Sequence, residues 1–171
     1  MLNYRTAQTA DLPAMMKMVE EAKEGFRARN IDQWQKGEPN EQGLTEGIKK
    51  GVVHVLEENG KVLGMVTVVP GPEADYAAIG GAWLNDEPYF AFHRVCVSEA
   101  HKGKGLAGSL FSHSEIFAKE KGVKKHSYRH PSGQPFHAES INQKWIYLLW
   151  KNHNYALEVK PEIPGSPTRK F

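Results

Sequence analysis

Residues 95–113 read VCVSEAHKGKGLAGSLFSH, and the order of residue types in this stretch decides the fold. A β-branched run, Val95-Cys96-Val97, stops at Ser98-Glu99. A basic, glycine-studded turn follows and opens directly into a helical pattern. Strand, glycine turn and helix start, in that order, make a cradle for phosphate. Glycines let backbone N–H groups close on an anion, and the first helical turn adds unsatisfied amides and the positive end of its dipole. Lys102 and Lys104 add charge that a pyrophosphate would use. Taken alone, the turn also fits a solvent-facing loop whose lysines bind nothing.

Working outward, the chain alternates strands and helices. Residues 2–8 form a short strand. Thr9 or Asp11 caps a helix to about Gly25, with Leu12, Met15, Met16, Val19 and Ala22 on one stripe. A polar stretch around Trp34 leads to a short helix over residues 44–50, closed by Gly51. Then two β-rich runs flank Asn59-Gly60, a pair that tolerates positive φ and suits a tight hairpin. Residues 70–88, rich in glycine and proline, read as a long loop. A buried strand at 89–97 precedes the glycine turn. A helix over 105–121 follows it, with Leu106, Leu110, His113 and Phe117 in line. Residues 123–129 read as a strand, 139–153 as a helix and 154–159 as a last strand, before a Pro-rich tail over 160–171.

Bulk properties narrow the function. A chain of 171 residues is one domain with a real core, and a net charge of +2 is too small to argue for nucleic acid. The lone cysteine, Cys96, excludes a disulfide framework and a CxxC metal pair. No apolar run approaches the ~20 residues of a membrane span, so a cytoplasmic protein is expected. His126, His130 and His137 match no standard metal spacing, and no metal is expected.

Two phosphate motifs compete for the turn. Residues 103–108 match G-x-G-x-x-G, the dinucleotide fingerprint, yet the acidic residue expected about 20 positions on is missing. The strand there ends in Tyr128-Arg129-His130 instead, and most of the sheet precedes the turn. A Walker A sequence is absent. Read from Lys102, the turn Lys-Gly-Lys-Gly-Leu-Ala resembles the [Q/R]-x-x-G-x-[G/A] loop of the GNAT superfamily of acyl-CoA-dependent N-acetyltransferases. HRVCV before it is similar to that family's central strand, and INQKWIYLLWKNHNY after it to its Asn-led helix. The resemblance covers about residues 2–159 and leaves 160–171 as a tail. It implies an α/β (α+β) single-domain fold, a central mixed, mostly antiparallel sheet flanked by helices.

The resemblance also implies direct transfer of an acetyl group from acetyl-CoA to a primary amine of a small molecule or peptide. The cofactor would rest on Val95, Cys96, Val97, Lys102, Gly103, Lys104, Gly105, Leu106, Ala107, Gly108 and Asn142. Lys102 stands where the family has Gln or Arg, and keeps the charge without the fork geometry. Asn154-Tyr155 replaces the expected Gly-Phe. The family's tyrosine acid falls at Leu149 or Trp150, neither of which can donate a proton to a thiolate, so Tyr147 is the remaining candidate acid. His93, on the face of Ala91 by strand alternation, is a candidate base or a core histidine bonded to a carbonyl. By the same alternation Arg94 points to the opposite face, and the Cys96 thiol reads as packing. Trp34 and Trp83 read either as walls of an acceptor pocket or as core covers. Asp86 and Glu87 read as a cation site or a solvated turn. The expected partner is the amine, with no nucleic acid and no membrane; a homodimer stays open. A non-catalytic acyl-CoA-binding module is the competing reading, and a nicotinamide-dependent oxidoreductase a distant third.

Overall fold

The computed structural model describes residues 1–71, 89–123, 125–129 and 135–138, the last two spans through their backbone. Of the expected loop at 70–88, Pro70 instead ends a strand and residues 72–88 lie outside the described residues, as do the expected helix at 139–153, the strand at 154–159 and the tail. So do Trp83, Asp86, Glu87, His130, Asn142 and Tyr147, and the side chains of His126 and His137.

The elements run β1 (Asn3–Thr6), α1 (Leu12–Arg27), α2 (Glu41–Lys49), β2 (Val53–Glu58), β3 (Lys61–Pro70), β4 (Tyr89–Val97), α3 (Leu106–Glu120), β5 (Lys125–Arg129) and β6 (Pro135–Ala138). The six strands form one sheet in sequence order. Every neighbouring pair is antiparallel except β4–β5, which is parallel because α3 crosses between them. The mixed, mostly antiparallel sheet with flanking helices is the expected architecture.

Local chemistry sets the boundaries. Asn59 and Gly60 adopt φ of 52° and 76°, the pair of positive values that a two-residue hairpin between β2 and β3 requires. The Asn40 side chain accepts the Gly43 N–H at 2.8 Å and caps α2, which therefore starts three residues before the apolar pattern does. The strand β6 goes beyond the sequence reading; its first residue is a proline, which an edge strand tolerates at its start.

Two apolar layers sandwich the sheet. One gathers Leu56, Val66, Val68 and Phe92 under Leu106, Leu110 and Phe111 of α3. The other gathers Val53, Val55 and Met65 with Met15, Met18 and Val19 of α1 and Leu44 of α2. On α1 the buried residues Met15, Met18, Val19 and Phe26 form the stripe, with Leu12, Met16 and Ala22 at its margin.

The strand β4 changes face partway. Its ladder with β3 slips between Met65↔Cys96 and Thr67↔His93, leaving one extra residue on β4. Arg94 sits at the slip with φ of 52°, a left-handed residue inside a strand and so a β-bulge. Before the bulge Phe90 and Phe92 face α3; after it Val95 and Val97 do, and Cys96 joins the α1–α2 layer. Regular alternation fails here. Arg94 does not point away from the α1–α2 side: its guanidinium reaches Glu38, in the connection between α1 and α2, at 3.6 Å.

Candidate active site

The turn after β4 is built as a cradle. The Ser98 N–H donates to the Leu63 carbonyl at 2.9 Å, anchoring the end of the strand, and a 3-10 turn covers Glu99–His101. Gly103 and Gly105 follow in the left-handed region, at φ of 79° and 76°. Gly105 is the N-cap residue of α3 and offers no side chain to cap it. The first backbone bond of the helix runs from Ser109 N–H to the Gly105 carbonyl at 3.0 Å. The amides of Leu106, Ala107 and Gly108 therefore have no acceptor within the helix. A Cβ added at Gly103, Gly105 or Gly108 would meet no atom within 4 Å, so no described residue crowds the glycine side of the turn.

The helix is held close to the sheet by Gly64 on β3, where a Cβ would lie 2.8 Å from Leu110 Cδ1. Burial of Leu106 and Leu110 on that seam fixes where the amide-lined end of α3 points. Donor geometry, uncrowded glycines and positive charge together fit a pyrophosphate.

The charges near the cradle are uneven. Lys102 pairs with Glu99, and the Glu99 N–H donates to Glu21 Oε2 of α1 at 3.0 Å. Lys104 is exposed and forms no ion pair among the described residues. Sequence reasoning treated both lysines as available cations; the i,i+3 spacing of Glu99 and Lys102 in a 3-10 turn was the signal for their pairing.

The β4–β5 ladder runs from Tyr89↔Lys125 to Phe92↔Tyr128. From His93 onward, β4 has a described ladder only with β3. His93, half-buried, lies opposite Thr67 on β3. Phe92 faces α3, so Ala91 and His93 face the α1–α2 layer together, as read. The Thr67 hydroxyl beside His93 is buried with no hydrogen-bond partner among the described residues. Burial pushes the Cys96 thiol well above its ordinary range, and the residue packs in the α1–α2 layer, as its packing role requires. Trp34 packs edge-on against Phe26, ring centroids 5.5 Å apart, and covers the core. No group of three metal-binding side chains occurs among the described residues, and none of their helices is long and apolar enough to cross a membrane.

The structure thus places His93 on the strand that leads into the glycine turn. Glu21, Glu38, Arg94 and Thr67 join them without having been singled out as site residues. An arginine in an otherwise regular strand gives no sign in the sequence that it will take a left-handed backbone.

The profile of the Acetyltransferase (GNAT) family matches residues 14–138. Among solved structures, a GNAT-family acetyltransferase from Streptococcus agalactiae 2603 is similar, with a TM-score of 0.69 and 27% identity over 88% of this chain and 83% of that one. A GNAT-family acetyltransferase from Listeria monocytogenes 4b F2365 shares the fold, with a TM-score of 0.62 and 15% identity over 94% of this chain and 90% of that one. The N-acetylglutamate synthase of Neisseria gonorrhoeae, solved with coenzyme A and N-acetyl-glutamate, shares it too, with a TM-score of 0.54 and 16% identity over 75% of this chain and 25% of that one. No functionally curated protein matches at a significant level. On the profile match, which spans β4 and the glycine turn, the chain belongs to the GNAT acetyltransferase family, whose cofactor is acetyl-CoA.

Proposed function

We propose that the protein N-acetylates a primary amine of a small molecule or peptide, by direct attack of the amine. The observation that carries this reading is the cradle: left-handed Gly103 and Gly105, crowded by no described residue, before an uncapped helix end. There the amides of residues 103–108, with Lys102 and Lys104, would hold the pyrophosphate. The edge of Val95, Cys96 and Val97 that faces away from β3 would hold the amide groups of the pantetheine arm. Acetyl-CoA supplies the acetyl thioester when bound.

His93 is the proposed base. An amine is mostly protonated near neutral pH and cannot attack until a base takes its proton. The imidazole stands on β4 opposite Thr67, ahead of the glycine turn in the chain, and would accept that proton directly or through water. Asn142 and Tyr147 are proposed as a further cofactor contact and as the acid that protonates the departing thiolate. The domain is taken to span residues 2–159. A cytoplasmic setting suits a single, unpaired cysteine.

Thermal unfolding with and without coenzyme A tests the cradle. A ligand that binds only the native state stabilises it by about 2.7 kcal/mol at a hundredfold excess over Kd. NAD and ATP should do much less. Gly105→Val should abolish the coenzyme A effect, because its side chain enters the cradle and disfavours φ of 76°. Parent-like binding by Gly105→Val would remove the turn from the pyrophosphate site. Binding without thiol release from acetyl-CoA across a panel of amines would favour the non-catalytic module.

A further inference from the structure

The acetyltransferase reading leaves one charged group of β4 without a task. Arg94 takes φ of 52° inside β4, a conformation that costs energy in a residue with a Cβ. Such strain persists where the surroundings impose it, and here it re-aims one side chain. An unbroken strand would turn Arg94 toward α3. The bulge turns it to the α1–α2 connection, next to His93.

The guanidinium is poorly satisfied there. Its described partner is Glu38, at 3.6 Å, too far for a hydrogen bond. The Glu38 carboxylate already accepts from Asn40 Nδ2 at 2.6 Å. Arg94 donates no hydrogen bond among the described residues, and its side chain is only 33% exposed. A half-buried fork of five donors facing one distant carboxylate is a recognition group waiting for a better-placed carboxylate.

Position separates this group from the cofactor's phosphates. Arg94 lies three residues before the end of β4, roughly 10 Å up the strand from Val97, and the glycine turn begins only after a further 3-10 turn. It adjoins the candidate base rather than the cradle.

We propose that Arg94 binds a carboxylate on the acceptor, so that the molecule whose amine is acetylated also bears a carboxylate: a free amino acid or a short peptide with both ends free. The proposal rests on the acetyltransferase reading. Glu38 occupies the guanidinium when the acceptor is absent and yields it when a carboxylate arrives. Arg94 then sets the orientation of the amine toward His93.

Isothermal titration with coenzyme A present tests this, using N-acetyl amino acids, N-acetylated dipeptides and the C-terminal amide of each. At least one acid should bind tenfold or more tightly than its amide, and the two acid series distinguish a free amino acid from a short peptide. Arg94→Gln should erase the difference between acid and amide while leaving coenzyme A binding intact. Arg94→Gly, which suits the left-handed backbone, should do the same and guards against misfolding. Glu38→Gln, with Arg94 in place, should tighten the acid a few-fold. Equal binding of acids and amides, discrimination that survives Arg94→Gln, or no binding by the whole panel while coenzyme A binds would each overturn the proposal. Failure of coenzyme A itself to bind would overturn the acetyltransferase reading, and this proposal with it.

Discussion

The proposed chemistry rests on a single imidazole. His93 sits on β4 one residue before the bulge, opposite the unpartnered hydroxyl of Thr67. If it takes the proton of the amine, His93→Ala should lower kcat by about 10²–10⁴-fold, the usual loss with a general base. Affinity for coenzyme A should stay within about twofold, since the cradle lies farther along the chain and is built from backbone amides. Added imidazole should restore part of the rate in His93→Ala. A rate within threefold of the parent, or a loss that imidazole does not relieve, would make His93 a packing residue. The residue itself was legible, because alternation from Ala91 placed it on the correct face. Its neighbour was not: the alternation rule that placed His93 misplaced Arg94, since it assumes a ladder without a bulge.

At the scale of elements, the join between β4 and α3 carries its own electrostatic brake. Glu99 holds the Lys102 ammonium, so one of the two cations beside the cradle is already neutralised. The main chain of the same turn is tied to α1 through the Glu99 N–H and Glu21, a contact that does not use the Glu99 side chain. Glu99→Gln should therefore leave the turn in place and release Lys102. A partly exposed pair is worth about 0–1 kcal/mol. Coenzyme A should accordingly bind two- to fivefold more tightly at low salt, with the gain fading toward 1 M salt. Weaker binding in Glu99→Gln would show that the pair shapes the turn rather than masking the cation. The glycine turn and the Asn59-Gly60 hairpin were readable because each needs positive φ at residues that announce it. The cap at Asn40 and the strand β6 were harder. Asn40, Glu41 and Gln42 look like the polar connection before them, and β6 is four residues long and starts with a proline. Short edge elements draw their stability from pairing with a partner, which a local pattern does not encode.

Across the whole molecule, a buried polar cluster ties the N-terminal strand to the helix that forms the cradle. The Ser114 hydroxyl spends its one proton on the Leu110 carbonyl at 2.8 Å, so Tyr4 donates to Ser114 Oγ at 2.9 Å. Burial outweighs that bond and pushes the Tyr4 phenol up to about 12. His54 of β2 stacks on the Tyr4 ring at 5.1 Å and meets Phe117 edge-on at 4.5 Å. It is 2% exposed, and neither ring nitrogen has a hydrogen-bond partner among the described residues. Burial lowers its pKa to about 4, against about 6.5 for an unfolded histidine. Between those values the unfolded chain binds a proton that the folded chain refuses, so the fold loses stability as pH falls from about 6.5 to about 4. The shift corresponds to a loss on the order of 3 kcal/mol, complete near the lower value. His54→Leu removes both the unpartnered nitrogens and the titration. It should be at least as stable as the parent at pH 7.5, given that an unsatisfied buried polar group costs about 1–3 kcal/mol. Its advantage in urea unfolding should widen at pH 5, where the other histidines contribute equally to both proteins. A parent-to-variant difference that is the same at pH 7.5 and pH 5 would mean that His54 takes up its proton without leaving the fold.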